Sequence, residues 1–143
     1  MPSHTWIVAF DCEPASQHAL VEGYQMLVRL GGGKLIVAMV LRPDASSHLP
    51  GDAEQSAEAA LARARANVDH ELAHLPPATV EVRTWVGGGY PAEAIAALAR
   101  ETHADVIVCG THNRKGVARF LVGSVAARIA QESPCSVLII KPS

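Results

Sequence analysis

The sequence predicts an α/β fold: a three-layer sandwich in which helices cover both faces of a five-stranded parallel sheet. Three observations predict it. Short apolar runs alternate along the chain with longer stretches of helical spacing, the pattern of repeated strand–helix–strand units. Most of those runs are nearly unbroken, as strands buried on both faces must be. Hydrophobic residues make up 49% of the chain but aromatics only 4%, so the core is Val, Ile, Leu and Ala, which suits a parallel sheet flanked by alanine-rich helices. A chain of 143 residues suffices for one such domain, 1–143, and is short for two.

Residues 5–10 (TWIVAF) are β-branched and apolar and stop at Asp11, giving the first strand. Pro14 then opens a helix to about Leu30, with Ala19, Leu20, Gly23, Leu27 and Leu30 near one face and Gly31-Gly32-Gly33 ending it. Residues 34–41 form an apolar second strand. Residues 42–51, with two prolines, two serines and a glycine, read as a surface loop and the most mobile part of the chain. A long helix starts at Asp52 or Glu54 and runs to about Leu75, its apolar stripe traced by Leu61, Ala64, Val68, Leu72 and Leu75, with Pro76-Pro77 as the stop.

Residues 79–86 alternate Val80, Val82, Thr84 and Val86 against Glu81 and Arg83, a strand with one wet face and so at a sheet edge. Gly87-Gly88-Gly89-Tyr90-Pro91 turns the chain into a helix over 92–101 that sends Ile95, Leu98 and Ala99 inward. The apolar run 106–109 is the fourth strand. A last helix carries Val125-Ala126-Ala127-Arg128-Ile129-Ala130, Ser133-Pro134 breaks it, and SVLII over 136–140 is the fifth strand.

The formal charge of −2 gives no field that would gather nucleic acid or an anionic membrane surface, so neither is expected as a partner. No apolar run approaches the roughly 18 residues of a membrane span, and Met1-Pro2-Ser3-His4 lacks the regions of a signal peptide, so a cytoplasmic location is expected. Cys12, Cys109 and Cys135 are odd in number and form no C-x-x-C pair, which suits reduced thiols, with Cys109 a buried core residue.

The stretch 105–125, DVIVCGTHNRKGVARFLVGSV, organises the rest. Its buried strand stops at Gly110, a polar and basic loop follows, and Gly123-Ser124 precedes a helix. Strand, glycine loop and helix start together point free N–H groups and a positive helix end at an anion. The layout Gly110-Thr111-His112-Asn113, nine residues, Gly123-Ser124 resembles the universal stress protein family, whose mark is Gly-x-x-Gly, nine residues, then Gly-Ser or Gly-Thr. Asn113 departs from the second glycine, and asparagine is the next residue most willing to take positive φ. Val8-Ala9-Phe10-Asp11, Gly89-Tyr90-Pro91, Asp105-Val106-Ile107-Val108 and Pro134-Cys135-Ser136-Val137-Leu138 sit where the family's other landmarks fall.

The resemblance implies the adenine nucleotide alpha hydrolase-like fold with strand order 3-2-1-4-5, a homodimer through the last strand, and a stress-response regulator or sensor that binds ATP, with or without Mg²⁺. It implies further that Asp11 and Val40 hold the adenine, that Ala9 and Gly110 line the base and ribose site, and that Asn113, Gly123, Ser124 and Val125 hold phosphates, with Arg114, Lys115 and Arg119 adding charge. The helix dipole is worth about 0.3–2 kcal/mol, against the ~8 kcal/mol of micromolar affinity, so base and ribose contacts must supply most of the rest. Cys12-Glu13 replaces the family's frequent Gly-Ser and brings an anion near the site.

Each of these residues also has a plainer reading. Gly110 and Asp11 can simply end strands, Ser124 can cap a helix, and the three cations can form a solvated face. The alternative function is accordingly a nucleotide-free interaction module of the same fold. His70-Glu71-Leu72-Ala73-His74 matches the zinc-protease pattern H-E-x-x-H, but a stripe through Val68 and Leu72 turns both imidazoles to water, and spacing identifies no third ligand. No Walker loop, dinucleotide fingerprint or nucleophile elbow is present. No base stands out to activate water on a γ-phosphate, so no catalytic residue is assigned and hydrolysis is expected to be slow or absent.

Overall fold

The computed structural model describes residues 4–43, 52–111 and 122–142, and among them strands and helices alternate throughout. The strands are β1 (Thr5–Ala9), β2 (Gly33–Leu41), β3 (Val80–Gly88), β4 (Val106–Gly110) and β5 (Ser136–Ile140). The helices are α1 (Pro14–Arg29), α2 (Asp52–Leu72), α3 (Pro91–Thr102) and α4 (Ser124–Glu132). All strand pairs are parallel and the order is β3-β2-β1-β4-β5, as the sequence resemblance implies. Strand β3 lies at one edge, as its wet face requires.

The pleat sorts alternate residues to two cores. Trp6, Val8 and Phe10 of β1 and Leu35, Val37 and Met39 of β2 pack with Leu20 and Leu27 of α1 and Ala64 and Val68 of α2. Ile7, Ile36, Ala38, Ile107 and Cys109 pack on the other face with Ile95, Leu98 and Ala99 of α3 and Ala126 and Ile129 of α4. Ile7, Val8, Val37, Ile107 and Val108 show no exposed surface, and fully burying such a side chain stabilises by about 1.5–3 kcal/mol.

Two helix ends differ from expectation. Leu30 does not continue the α1 stripe: it is the C-cap, past the last helical residue Arg29, and is 54% exposed. The chain turns there because Gly31 and Gly32 take φ of 100° and 108°. Helix α2 stops at Leu72 rather than Leu75, because Pro76 has no N–H to donate to the Leu72 carbonyl and its ring crowds that carbonyl. Strand β3 runs past Val86 to Gly88 because Val40 and Leu41 of β2 still pair with Gly87 and Gly88. Most of the loop expected over 42–51 lies outside the described residues.

Candidate functional site

Parallel strands end together, so the carboxyl ends of β1, β2 and β4 and the N-termini of α1, α3 and α4 share one rim of the sheet. Strand β1 sits between β2 and β4, so the order reverses there, and Asp11 and Gly110 stand at the two strand ends flanking that reversal. Ligands of open α/β sheets enter at such switch points.

The turn after β1 is held by Ser16. Its hydroxyl lies 2.6 Å from Asp11 Oδ1 and 3.0 Å from the Glu13 carbonyl, and it accepts a 3.1 Å bond from the Asp11 N–H. Asp11 Oδ1 also accepts the Glu13 N–H at 2.9 Å, which closes an Asx turn around Cys12 at φ 66°. Gln17 ties the turn to α2, donating to the Cys12 carbonyl and to Asn67 Oδ1, each at 3.0 Å. Burial pushes the Cys12 thiol above its ordinary range, and the neighbouring Arg63 guanidinium opposes the shift in part. Asp11 is thus a braced carboxylate on an exposed lip.

At the end of β4, Gly110 has no room for a side chain. A methyl group there would strike the Ala15 carbonyl oxygen and come 2.8 Å from its carbon, so α1 can begin where it does only over a glycine. Thr111 follows, buried, its N–H donating to the Ile140 carbonyl at 3.3 Å.

Helix α4 is capped by Gly123 at φ −62°, ψ 158°, and no side chain closes the cap. Ser124 is the first helical residue and not the cap, so the reading of Ser124 as a plain capping serine does not hold; its side chain is exposed. No described atom lies within 4 Å of where a Gly123 side chain would begin. Among the described residues, the first turn of α4 thus has no side-chain cap and nothing packed against Gly123, the setting in which a helix end receives an anion.

Ala9, Val40 and Val125 are half-buried and pack on the same core cluster, the one beneath α3 and α4. The structure thus places Ala9, Asp11, Val40, Gly110, Gly123, Ser124 and Val125 along one rim, with Asp11 and Ser124 exposed. Asn113, Arg114, Lys115 and Arg119 lie outside the described residues. Sequence reasoning missed the Ser16 brace and the approach of Arg63. A serine two residues after Pro14, at the start of a helix and five after Asp11, was the available signal for the first. Nothing in the spacing announces the second.

His70 lies in α2 and His74 beyond its end, both exposed, and among the described residues no group of three or more metal-ligating side chains gathers. Cys109 is 3% exposed and burial pushes its thiol up to about 11, the state of an inert core cysteine. No helix among the described residues is long and apolar enough to cross a membrane.

Comparison with known proteins identifies close structural company. A universal stress protein from Methanocaldococcus jannaschii is 40% identical over 62 residues, 43% of this chain and 36% of that protein. The matched stretch spans between 20% and 36% of the first curated relatives. A universal stress protein crystallised in complex with cAMP superposes with a TM-score of 0.68 at 26% identity over the whole of both chains. A universal stress protein family protein from Arabidopsis thaliana with AMP bound has a TM-score of 0.63 at 19% identity, covering 99% of this chain and 93% of that one. Such neighbours share the adenine nucleotide alpha hydrolase-like fold. The model of the universal stress protein family matches residues 3–141, nearly the full sequence, and with the strand order and the glycine-serine helix start in place the chain belongs to the universal stress protein family.

Proposed function

We propose that this protein is a cytoplasmic stress-response regulator or sensor that binds ATP, with or without Mg²⁺, at the rim between Asp11 and the start of α4, and acts as a homodimer. The observation that carries the reading is the first turn of α4: an N-terminus without a side-chain cap, opened by Gly123 onto space that no described atom fills. The cAMP and AMP complexes of two structural neighbours support an adenine nucleotide as the occupant. Phosphates would meet the N–H groups of Ser124 and Val125 and the Ser124 hydroxyl, with Asn113 alongside. The base and ribose would lie toward Ala9, Asp11, Val40 and Gly110. Ser16 would keep the Asp11 carboxylate in place for a base N–H, since one of its oxygens is already bound within the turn.

The dimer would form through β5, an edge strand whose Val137, Leu138 and Ile139 are only half-buried. Among the described residues no rim side chain is assigned as a general base, and ATP turnover is expected to be slow or absent.

The competing reading is a nucleotide-free interaction module, favoured by Glu13, whose exposed carboxylate follows Asp11 on the same lip. Titration calorimetry with Mg-ATP separates the two. Binding in the micromolar range supports the first, and no heat at millimolar ligand supports the second. Asn113→Gly restores the family's second glycine and should tighten binding.

A further inference from the structure

We infer that Trp85 forms an aromatic wall of the base site and stacks on a purine. This rests on the adenine-nucleotide reading above and names a residue that neither the glycine motif nor the β1 landmarks include.

Ala9, Ala38 and Trp85 form one cross-strand row, and Val40 and Gly87 pair in the row above it, nearer the rim. Ala9, Ala38, Val40 and Trp85 share the face that carries α3 and α4. Ala38 is covered, at 1% exposure, whereas Ala9 and Trp85 on either side of it, and Val40 and Gly87 in the row nearer the rim, are half-buried. The Trp85 ring leans into that row. A methyl group on Gly87 would come 2.6 Å from Trp85 Cζ2 and 2.9 Å from Cζ3, so the six-membered ring occupies the space a Gly87 side chain would take. Because Gly87 pairs with Val40, the ring stands next to Val40 on the same face of the sheet, where neighbouring strands are about 4.8 Å apart. Ala9 and Val40 would floor, and the indole would wall, a slot for a planar heteroaromatic ring.

An indole face is a large polarisable surface, and base–aromatic stacking typically changes affinity by about tenfold or more on removal of the ring. The other tryptophan, Trp6, is buried in the opposite core, so its emission does not sense this slot. That asymmetry provides the test.

AMP and ribose 5-phosphate are titrated into the wild type and Trp85→Leu, following heat and tryptophan emission together. AMP is expected to quench the wild-type emission, while ribose 5-phosphate, which has no base, leaves it unchanged. Trp85→Leu keeps apolar bulk but no aromatic face. It should bind AMP about tenfold more weakly and lose the quench. Should the leucine variant not fold, Trp85→Phe keeps a ring, binds AMP within a few-fold of wild type and also loses the quench. Wild type that binds AMP by calorimetry without any emission change, or a folded leucine variant with unaltered AMP affinity, overturns the stacking role and leaves the nucleotide reading standing. Wild type that takes up no AMP overturns the stacking role, and wild type that takes up neither AMP nor Mg-ATP overturns both.

Discussion

The carbonyl of Ala15 lies against Gly110 at the one point where a side chain would begin. The contact is backbone on backbone, so no rotamer change relieves it. Gly110→Ala must move the start of α1 away from β4, and overpacking of this kind costs about 1–3 kcal/mol. Urea denaturation should show a lower midpoint by that amount. Unchanged stability would mean that α1 is not seated where the structure puts it.

Gly123 is the contrasting case. Its φ of −62° is open to any residue, and no described atom crowds it. Gly123→Val should therefore fold, with a loss of less than about 1 kcal/mol for the poorer cap, yet reduce nucleotide affinity at least tenfold by filling the phosphate space. Melting and calorimetry on the same sample read the two effects separately. Full affinity in the variant would place the ligand elsewhere.

The two glycines also show what the sequence could reveal. Both belong to the same motif by spacing, but one is required by helix packing and the other by nothing within the described chain. Spacing cannot distinguish them, because the difference depends on α1, about 95 residues earlier in the chain, reaching β4. The alternation of strands and helices, the wet edge of β3 and the bounds of β5 were legible because periodicity reports burial directly. Helix ends were read less well: Leu30 and Leu75 continue an apolar spacing beyond the last helical residue, where the stripe no longer has a helix to carry it. The Ser16 brace and the lean of Trp85 were not legible, since each is a side-chain direction set by tertiary contacts.

Ser16→Ala removes a hydroxyl that serves both the carboxylate and the N–H of Asp11. Hydrogen bonds to charged groups contribute about 1.5–3 kcal/mol, and the exposure of Asp11 lowers that to about 1–2 kcal/mol here. The variant should melt lower and bind nucleotide more weakly through a less fixed Asp11. A loss of stability with no change in affinity would separate the brace from the ligand.

Cys109 should make stability fall in alkali. Its thiol is pushed from 9.0 up to about 11 by burial in the native state, so above pH 9 the unfolded chain gives up this proton first. Stability from this group is complete below pH 9 and is lost between 9 and 11, a total of about 2–3 kcal/mol. Comparing urea midpoints at pH 8 and pH 11 for wild type and Cys109→Ala isolates it: the alanine variant should lack this part of the decline. Equal declines would contradict the assignment.

Strand β5 leaves Val137, Leu138 and Ile139 half-buried at the edge of the sheet. Sedimentation at micromolar concentration should give a dimer, and Val137→Lys should shift it to monomer by placing a charge in the joint. A wild-type monomer would refute association through this edge.

Calorimetric titration of the wild type with Mg-ATP, run beside Gly123→Val, asks whether a nucleotide sits on the first turn of α4. Saturable binding in the micromolar range is expected for the wild type, and its loss in a folded variant. No heat with the wild type at millimolar ATP, or equal binding by both proteins, would contradict a nucleotide seated on the first turn of α4.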